Sequence, residues 1–243
     1  MRGNRPVVRA GMLALLASVA SGCSGAQNSD VKSADSQVAS AESQPAWTVL
    51  FDGTGTSAWR GYQKQDFPSG WQIVDGALTR VGLAGDIITR DQFGDFELEL
   101  EWKVPPKGNS GIMYRVTEAD SNTYRTGPEM QVLDDAGHVD GKNRLTSAGS
   151  AYGLYAATEG VVKPAGEWNA AKIVARGAHI EHWLNGQKVV EYELWSPDWE
   201  AKVKASKFDA WKGFGRAQRG HIALQDHGDR VQFRNIRIRA LSP

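Results

Sequence analysis

From residue 47 onward, hydrophobic and polar positions alternate in short stretches, which predicts β-strands joined by tight turns. Residues 96–104 alternate most regularly, with five apolar residues on one strand face and three glutamates and a lysine on the other. We therefore expect a half-buried antiparallel strand at this position. Its inward residues should be Phe96, Leu98, Leu100 and Trp102, and Glu97 and Glu99 should be exposed.

Other apolar stretches bounded by Gly, Asp, Asn or Pro predict further strands. They are residues 47–51, 71–74, 77–81, 86–89, 109–116, 127–135, 168–175, 179–184, 187–192, 221–225 and 231–238. Asp75-Gly76 and Asn185-Gly186 favour the two-residue turns of β-hairpins. Residues 55–61 are predicted to be a loop, and the long loop 135–150 has the length of many binding loops.

One helix interrupts this pattern. Ser196 can act as its N-cap, Pro197 occupies the first helical position, and Asp198 follows in the first turn, so we expect a helix from Pro197 to about Phe208. Many short strands with tight turns and one short helical insertion predict an all-β fold, namely a jelly-roll β-sandwich.

The N-terminus carries a targeting pattern. Three arginines precede the apolar run 10–20 and then Ser21-Gly22-Cys23, which predicts a lipoprotein signal peptide over residues 1–22 and lipidation of Cys23. An ordinary signal peptide with an incidental cysteine is the alternative. Residues 23–46 are small and polar and should form a flexible tether, and residues 47–241 should form a single domain.

This pattern and the composition predict the location and the partners. The protein should be a lipid-anchored cell-envelope protein, and Ser24 after the cysteine favours the outer membrane, on the periplasmic side, in a cell with two membranes. The 28 basic and 28 acidic residues give a formal net charge of zero, which argues against nucleic acid as a partner. Membrane contact is therefore expected only through the lipid anchor. Nine tryptophans can supply a core or a sugar-binding platform.

Two predicted strands each carry an unusually polar face. In the first, Glu129, Gln131 and Leu133 share one face, and Met130, Val132 and Asp134 share the other. In the second, His221, Ala223, Gln225 and His227 lie opposite Ile222 and Leu224. These polar faces would form a site if the strands were neighbours, whereas in an ordinary sandwich they would simply face water.

These residues belong to a wider pattern that resembles the 3-keto-disaccharide hydrolase domain family, which comprises secreted bacterial proteins with a concanavalin A-like jelly roll. The resemblance covers residues 47–241. It rests on the ordered set 51–53, 95–98, 101–102, 108–112, 115, 129–134, 166–169, 182–186, 206–208, 220–228 and 233–236. It implies action on glycosides whose sugar is oxidised at C3, at a site on the concave sheet.

The chemistry of such a substrate suggests roles for the polar residues. A 3-keto group acidifies the C2 proton, so the glycosidic bond can break by proton abstraction, elimination and later addition of water, which needs a base, an acid and an enolate stabiliser. Glu129 or His227 could be the base, Arg115 could stabilise the enolate, and His227 or Asp134 could protonate the departing oxygen. Asp134 faces away from Glu129 unless a bulge re-aims it.

The remaining candidates are sugar ligands, namely Gln131, Gln225, Asn109 and Tyr155. The two glutamines could instead satisfy neighbouring backbone groups. We expect Arg115, Glu129, Gln131, Gln225 and His227 to converge on one concave pocket. A divalent metal between Glu129 and His227 is an alternative, but close ligand spacing such as His-x-x-x-His is absent, so neither a metal nor another cofactor is predicted. The competing function is a non-catalytic carbohydrate-binding or adhesion module on the same sandwich.

Overall fold

A computed structural model describes residues 45–241. The predicted signal peptide, Cys23 and all of the tether except Pro45 and Ala46 lie outside these residues, so those features stay predictions. Within the described range, no helix is long and apolar enough to cross a membrane.

The described chain forms thirteen strands and one α-helix. The strands are β1 Thr48–Phe51, β2 Trp59–Gly61, β3 Trp71–Val74, β4 Ala77–Arg80, β5 Ile87–Thr89, β6 Phe96–Lys103, β7 Asn109–Val116, β8 Glu129–Leu133, β9 Asn169–Arg176, β10 His179–Leu184, β11 Gln187–Glu193, β12 His221–Leu224 and β13 Gln232–Ala240, and the helix is α1 Pro197–Lys204. Short 3₁₀ turns cover Thr123–Arg125, Val139–Lys142 and Lys207–Ala210.

Two antiparallel sheets pack face to face around a shared core. The larger has eight strands in the order β11-β10-β9-β6-β13-β4-β3, with β1 also paired to β13, and the smaller has the order β2-β5-β12-β7-β8. This is the all-β jelly-roll sandwich with one short helix that the sequence predicts.

In strand β6 the apolar residues are buried as predicted, but the prediction that its glutamates are exposed is wrong for Glu97. Phe96, Leu98, Leu100 and Trp102 are all buried. Glu97 was expected to be exposed, but only 9% of its surface is accessible. Arg239 of β13 pairs with its carboxylate, and Lys172 of β9 lies 3.7 Å away. The long side chains of the two neighbouring strands therefore cover Glu97.

The helical insertion is shorter than predicted. Ser196 caps α1 by accepting a hydrogen bond from Trp199 N at 3.1 Å, as expected, but the helix ends at Lys204. Ser206 then accepts a hydrogen bond from Phe208 N at 3.2 Å and starts a separate 3₁₀ turn. The prediction of a helix to Phe208 was therefore wrong, because Ser206 caps a separate 3₁₀ turn and the α-helix does not continue through it.

A three-residue strand was also missed. Residues 59–61 were predicted to be loop, yet β2 pairs with β5 at the edge of the smaller sheet. The indole of Trp59 is fully buried and donates a hydrogen bond to Leu50 O at 2.8 Å. A segment this short shows no alternation that could reveal it.

The outer face of the five-stranded sheet carries a small apolar cluster of its own. It consists of Ile88, Met113, Val116 and Ala223, partly covered by Tyr62 and Tyr124. Met130 and Val132 of β8 enter the main core, so Glu129 and Gln131 point to this outer face. In the register of β7 with β8, Glu129 lies opposite Met113. The polar half of β8 therefore lies beside this cluster.

Candidate active site

A cavity of about 340 Å³ opens on the outer face of the five-stranded sheet. The strands and their ends contribute a carboxylate, amides and an imidazole, and the loops contribute aromatic rings and a lysine. The lining residues are Asn109, Tyr124, Glu129, Gln131, Tyr152, Lys207, Phe208, Trp211, Gln225 and His227. Apolar walls with a few convergent polar groups are typical of small-molecule sites.

Glu129 is the ionisable group with the most perturbed environment in this cavity. Its carboxyl group forms no hydrogen bond with another described residue. Burial raises the pKa of Glu129 to about 8; the positive charge of Lys207 opposes this rise, and Asp86 and Asp140 add to it. A carboxyl group with a pKa near the working pH is suited to accepting a proton from a bound molecule.

Gly111 provides the space that this carboxyl group occupies. The glycine lies on β7, diagonally across from Glu129, and a Cβ atom at position 111 would overlap Oε1 and crowd the carboxyl carbon of Glu129. The Glu129 side chain can therefore lie across β7 only because residue 111 has no side chain.

The three amides of the cavity differ in their free hydrogen-bonding capacity. Oδ1 of Asn109 and Oε1 of Gln225 are buried and have no partner within residues 45–241. A buried acceptor without a partner costs about 1–3 kcal/mol, so a ligand hydroxyl group would be a favourable partner for each. Gln131 is already used, since its Nε2 donates to Thr146 O at 3.1 Å and its Oε1 accepts from Val132 N at 3.2 Å.

Two basic residues complete the site. His227 is exposed just beyond the end of β12 and lines the cavity, as the sequence predicts. Lys207 was not a candidate: the predicted helix extended past it, whereas it begins the 3₁₀ turn capped by Ser206. Its Nζ lies 4.5 Å from the centre of the Tyr152 ring, and its charge acts on Glu129. The only sequence pattern that included Lys207 was the stretch 206–208, which is part of the family resemblance.

Arg115 does not join the cavity, so the predicted convergence is wrong for this residue. Three residue steps of β7, from Met113 to Val116, pair with two steps of β12, and Arg115 has a φ of +53°. This bulge re-aims the side chain. Its guanidinium group is buried, donates to Gly94 O at 3.1 and 3.2 Å, and lies 3.3 Å from Asp95.

Comparison with known proteins places this site in a family. The sequence profile of the 3-keto-alpha-glucoside-1,2-lyase-like domain matches residues 46–239. The chain belongs to this family. It is 39% identical over 227 residues to the 3-keto-disaccharide hydrolase of Bacteroides thetaiotaomicron, with 80% of this chain and 78% of that protein covered. The protein is thus a glycoside-acting hydrolase.

Solved structures agree with this assignment. A crystal structure from Parabacteroides distasonis, provisionally named a glycosyl hydrolase, is 32% identical and superposes with a TM-score of 0.76 over 81% of this chain and 94% of that one. A second from the same organism, named in the same way, is 31% identical with a TM-score of 0.64, covering 81% and 100% of the two chains.

Two other predicted residues of this family member lie away from the cavity. Asp134 is 7% exposed and accepts a hydrogen bond from Lys107 N at 2.7 Å, so it fixes the turn before β7. Tyr155 stacks on Tyr192 with ring centres 4.7 Å apart and donates a hydrogen bond to Asp198 at 2.7 Å, so it supports the start of α1. Neither residue lines the cavity.

The eight-stranded sheet carries a larger cleft, of about 700 Å³, lined in part by Glu99, Glu101, Lys172 and Arg237. Its charges are engaged with one another or with neighbours: Glu99 lies 2.6 Å from Arg237, and Glu101 lies 2.5 Å from Arg234. Carboxylates paired with arginines in this way are poorly suited to act as an acid or a base. The smaller cavity with Glu129 is therefore the better candidate for catalysis.

Three potential metal ligands also meet on the larger sheet. They are His179, Glu181 and Glu191, and they are the one such group within the described residues. Lys188 Nζ lies 3.2 Å from Glu181 and 2.6 Å from Glu191, so a lysine already supplies positive charge there. This group lies on β10 and β11, outside the cavity of Glu129.

Proposed function

We propose that the Glu129 cavity binds a glycoside oxidised at C3 of its sugar and that Glu129 removes the C2 proton. The observation that carries this proposal is a carboxyl group without a partner, with its pKa raised to about 8, beside the cationic Lys207. The family description names a 1,2-lyase, and the B. thetaiotaomicron relative is named for 3-keto-disaccharides. Both names support this choice of substrate.

The reaction begins with proton transfer from C2 to the Glu129 carboxylate. The C–H electrons form an enolate over C2, C3 and the C3 oxygen, and the ammonium group of Lys207 stabilises its negative charge. The enolate then re-forms the C3 carbonyl as the bond from C1 to the glycosidic oxygen breaks. His227 gives a proton to that oxygen. The products of this step are an alcohol and a sugar with a C1–C2 double bond conjugated to the ketone.

Water completes the hydrolysis. It adds at C1 of the conjugated ketone and gives one proton to His227, while protonated Glu129 returns a proton to C2, so both the acid and the base are regenerated. Lys207 has the role first given to Arg115, because Arg115 lies outside the cavity. Asn109 and Gln225 accept hydrogen bonds from sugar hydroxyl groups through their free oxygens.

The first prediction is that Glu129→Gln strongly lowers turnover but leaves binding intact. The substitution keeps the shape and removes the base, so kcat on 3-keto-trehalose should fall by roughly two orders of magnitude or more. Rates are measured by product analysis, with unoxidised trehalose as the reference substrate. Glu167→Gln, at an exposed position away from the cavity, is the matched control and should behave like the wild type.

The same assay tests the mechanism and the competing function. A substrate deuterated at C2 should react more slowly if the C2–H bond breaks in the rate-limiting step. Full activity of both Glu129→Gln and His227→Ala would refute the assigned roles. Equal binding of 3-keto-trehalose and trehalose, with conversion of neither, would instead support a non-catalytic carbohydrate-binding module.

We also propose that the protein acts in the cell envelope, attached to the membrane through a lipid on Cys23. The apolar run 10–20 followed by Ser21-Gly22-Cys23 supports this location. A substrate taken up from outside the cell would then meet the enzyme before entering the cytoplasm.

A further inference from the structure

A second cavity, of about 300 Å³, adjoins the first. Tyr124, Gln225 and His227 line both, so the two cavities form one groove that passes His227. The other lining residues of the second cavity are Tyr62, Lys64, Ala84, Gly85, Asp86, Ser121, Asn122 and Asp226.

We propose that this second cavity binds the leaving sugar of a disaccharide substrate, a neutral ring rich in hydroxyl groups. The inference rests on the proposed function, in which Glu129 acts on the oxidised ring and His227 protonates the departing oxygen. That oxygen joins the two rings. Because Glu129 lines only the first cavity and His227 lines both, the leaving ring lies beyond His227 in the second.

The outer wall of the second cavity is held in place by hydrogen bonds. Tyr62 Oη donates to Asp120 O at 2.7 Å, and Gln63 Nε2 donates to the same oxygen at 2.8 Å. Arg60 pairs with Glu118 at 2.7 Å. The loop 117–122 is therefore fixed against residues 60–63, which gives a preformed wall rather than one that must order on binding.

The two carboxylates in this cavity, Asp226 and Asp86, already accept hydrogen bonds from neighbouring residues. Asp226 accepts hydrogen bonds from Ala84 N and Gly85 N at 2.9 Å each, and from Arg80 Nε at 2.8 Å. Burial opposes its ionisation, but these backbone donors and Arg80 together lower the pKa of Asp226. Asp226 therefore shapes the loop 84–86 and is not available as a base.

Asp86 is engaged in the same way. It accepts hydrogen bonds from the hydroxyl group of Thr123 and, at 2.8 Å, from Asp226 N. Burial raises its pKa, with the hydrogen bond from Thr123 opposing the rise. With both carboxylates occupied, the second cavity has the character of a binding site without a reactive group of its own.

Groups suited to a sugar remain free in this cavity. Lys64 Nζ and Asn122 Nδ2 donate no hydrogen bond to any residue within 45–241, and Oε1 of Gln225 is a buried acceptor without a partner where the two cavities meet. The rings of Tyr62 and Tyr124 provide apolar surface. Hydroxyl donors and acceptors over an apolar ring face are the features of a pyranose.

Lys64→Ala and Asn122→Ala test this assignment with two substrates. One is 3-keto-trehalose, and the other is methyl 3-keto-α-glucoside, which has the same oxidised ring and no second ring. We expect kcat/KM for the disaccharide, relative to that for the methyl glycoside, to fall about tenfold in each variant, mostly through KM. Lys204→Ala, an exposed lysine on α1, is the matched control and should leave the ratio unchanged.

The outcomes separate this inference from the proposed function. A wild-type enzyme that cleaves both substrates, with an unchanged ratio in both variants, overturns the subsite alone. A wild-type enzyme that cleaves neither overturns the proposed function and this inference with it. Asn122→Ser, which keeps a short polar side chain before the turn Thr123–Arg125, should show the same direction of change if the alanine variant folds poorly.

Discussion

At the scale of single residues, the site depends on the balance of charge around Glu129. Burial raises its pKa to about 8, and Lys207 is the nearby charge that lowers it. A base must be ionised to act, so the ascending limb of the kcat/KM profile, which reflects Glu129, should extend up to a pH of about 8. Lys207 therefore has two effects, since it sets the pH range of the base and stabilises the enolate.

Lys207→Gln separates the charge of Lys207 from its shape. Without the positive charge, the pKa of Glu129 should rise further, so the ascending limb of the kcat/KM profile should lie at a higher pH than in the wild type. Lys207→Arg keeps the charge and should keep the profile. The measurement is kcat/KM from pH 6 to 10 for all three proteins, and an unshifted profile in Lys207→Gln would contradict the assignment.

At the scale of strands and helices, the close approach of β7 and β8 positions the base. Glu129 lies across Gly111, where a Cβ atom would collide with the carboxyl group. Gly111→Ala should therefore push the carboxyl group out of place and lower kcat about 10- to 100-fold, because small misplacements of catalytic groups are costly.

The control for Gly111→Ala is Gly94→Ala, whose added Cβ would meet its nearest atom, Gln218 O, at an ordinary 3.5 Å. Both variants should show wild-type far-UV circular dichroism. Wild-type kcat in Gly111→Ala would show that the carboxyl group has no fixed position.

Regular elements could be predicted from the sequence because alternation determines which side of a strand faces the core. The pattern of β8 correctly placed Glu129 and Gln131 away from the core. The same pattern failed at Arg115, since a bulge with positive φ at a non-glycine residue leaves no signal in the hydrophobic pattern. The pattern also does not predict that the long basic side chains of Lys172 on β9 and Arg239 on β13 cover Glu97.

Irregular segments set the remaining limit on prediction. The sequence does not predict Lys207 as a site residue, because a continuous helix would fit the same residues. In the structure, Ser206 instead follows the end of α1 and caps a separate 3₁₀ turn. Tyr152 and Trp211 line the cavity from loops, where no periodicity relates a residue to a strand face.

At the scale of the whole molecule, a buried polar chain ties the two sheets together beneath the site. Tyr114 of β7 lies 3.0 Å from His182 Nε2 and also contacts the hydroxyl group of Tyr192. His182 Nδ1 is 3.0 Å from Gly149 O, and Gly149 N donates to Gln131 O at 2.8 Å. Burial lowers the pKa of His182 to about 4, so its ring is neutral at pH 7 and donates through Nδ1.

The proposed lipid anchor gives a prediction for a residue outside the described range. Mass spectrometry of the protein from the membrane fraction should show an acylated Cys23 as the first residue. Cys23→Ser should remove the acyl modification, which the same mass measurement would show as the loss of the lipid mass. A soluble wild-type protein that starts at another residue would contradict the lipid anchor.

The uncompensated carboxyl group of Glu129 has a cost for folding. Its pKa is raised from 4.5 to about 8, so the unfolded chain ionises at a lower pH than the folded one. The free energy of unfolding therefore falls as the pH rises from 4.5 to about 8, and above that range the full loss of stability remains but no longer changes with pH. Glu129→Gln should consequently raise Tm at pH 8 and have little effect at pH 4, as measured by calorimetry. A higher Tm in the Glu129→Gln variant would mean that Glu129 lowers the stability of the folded protein while it provides the catalytic base.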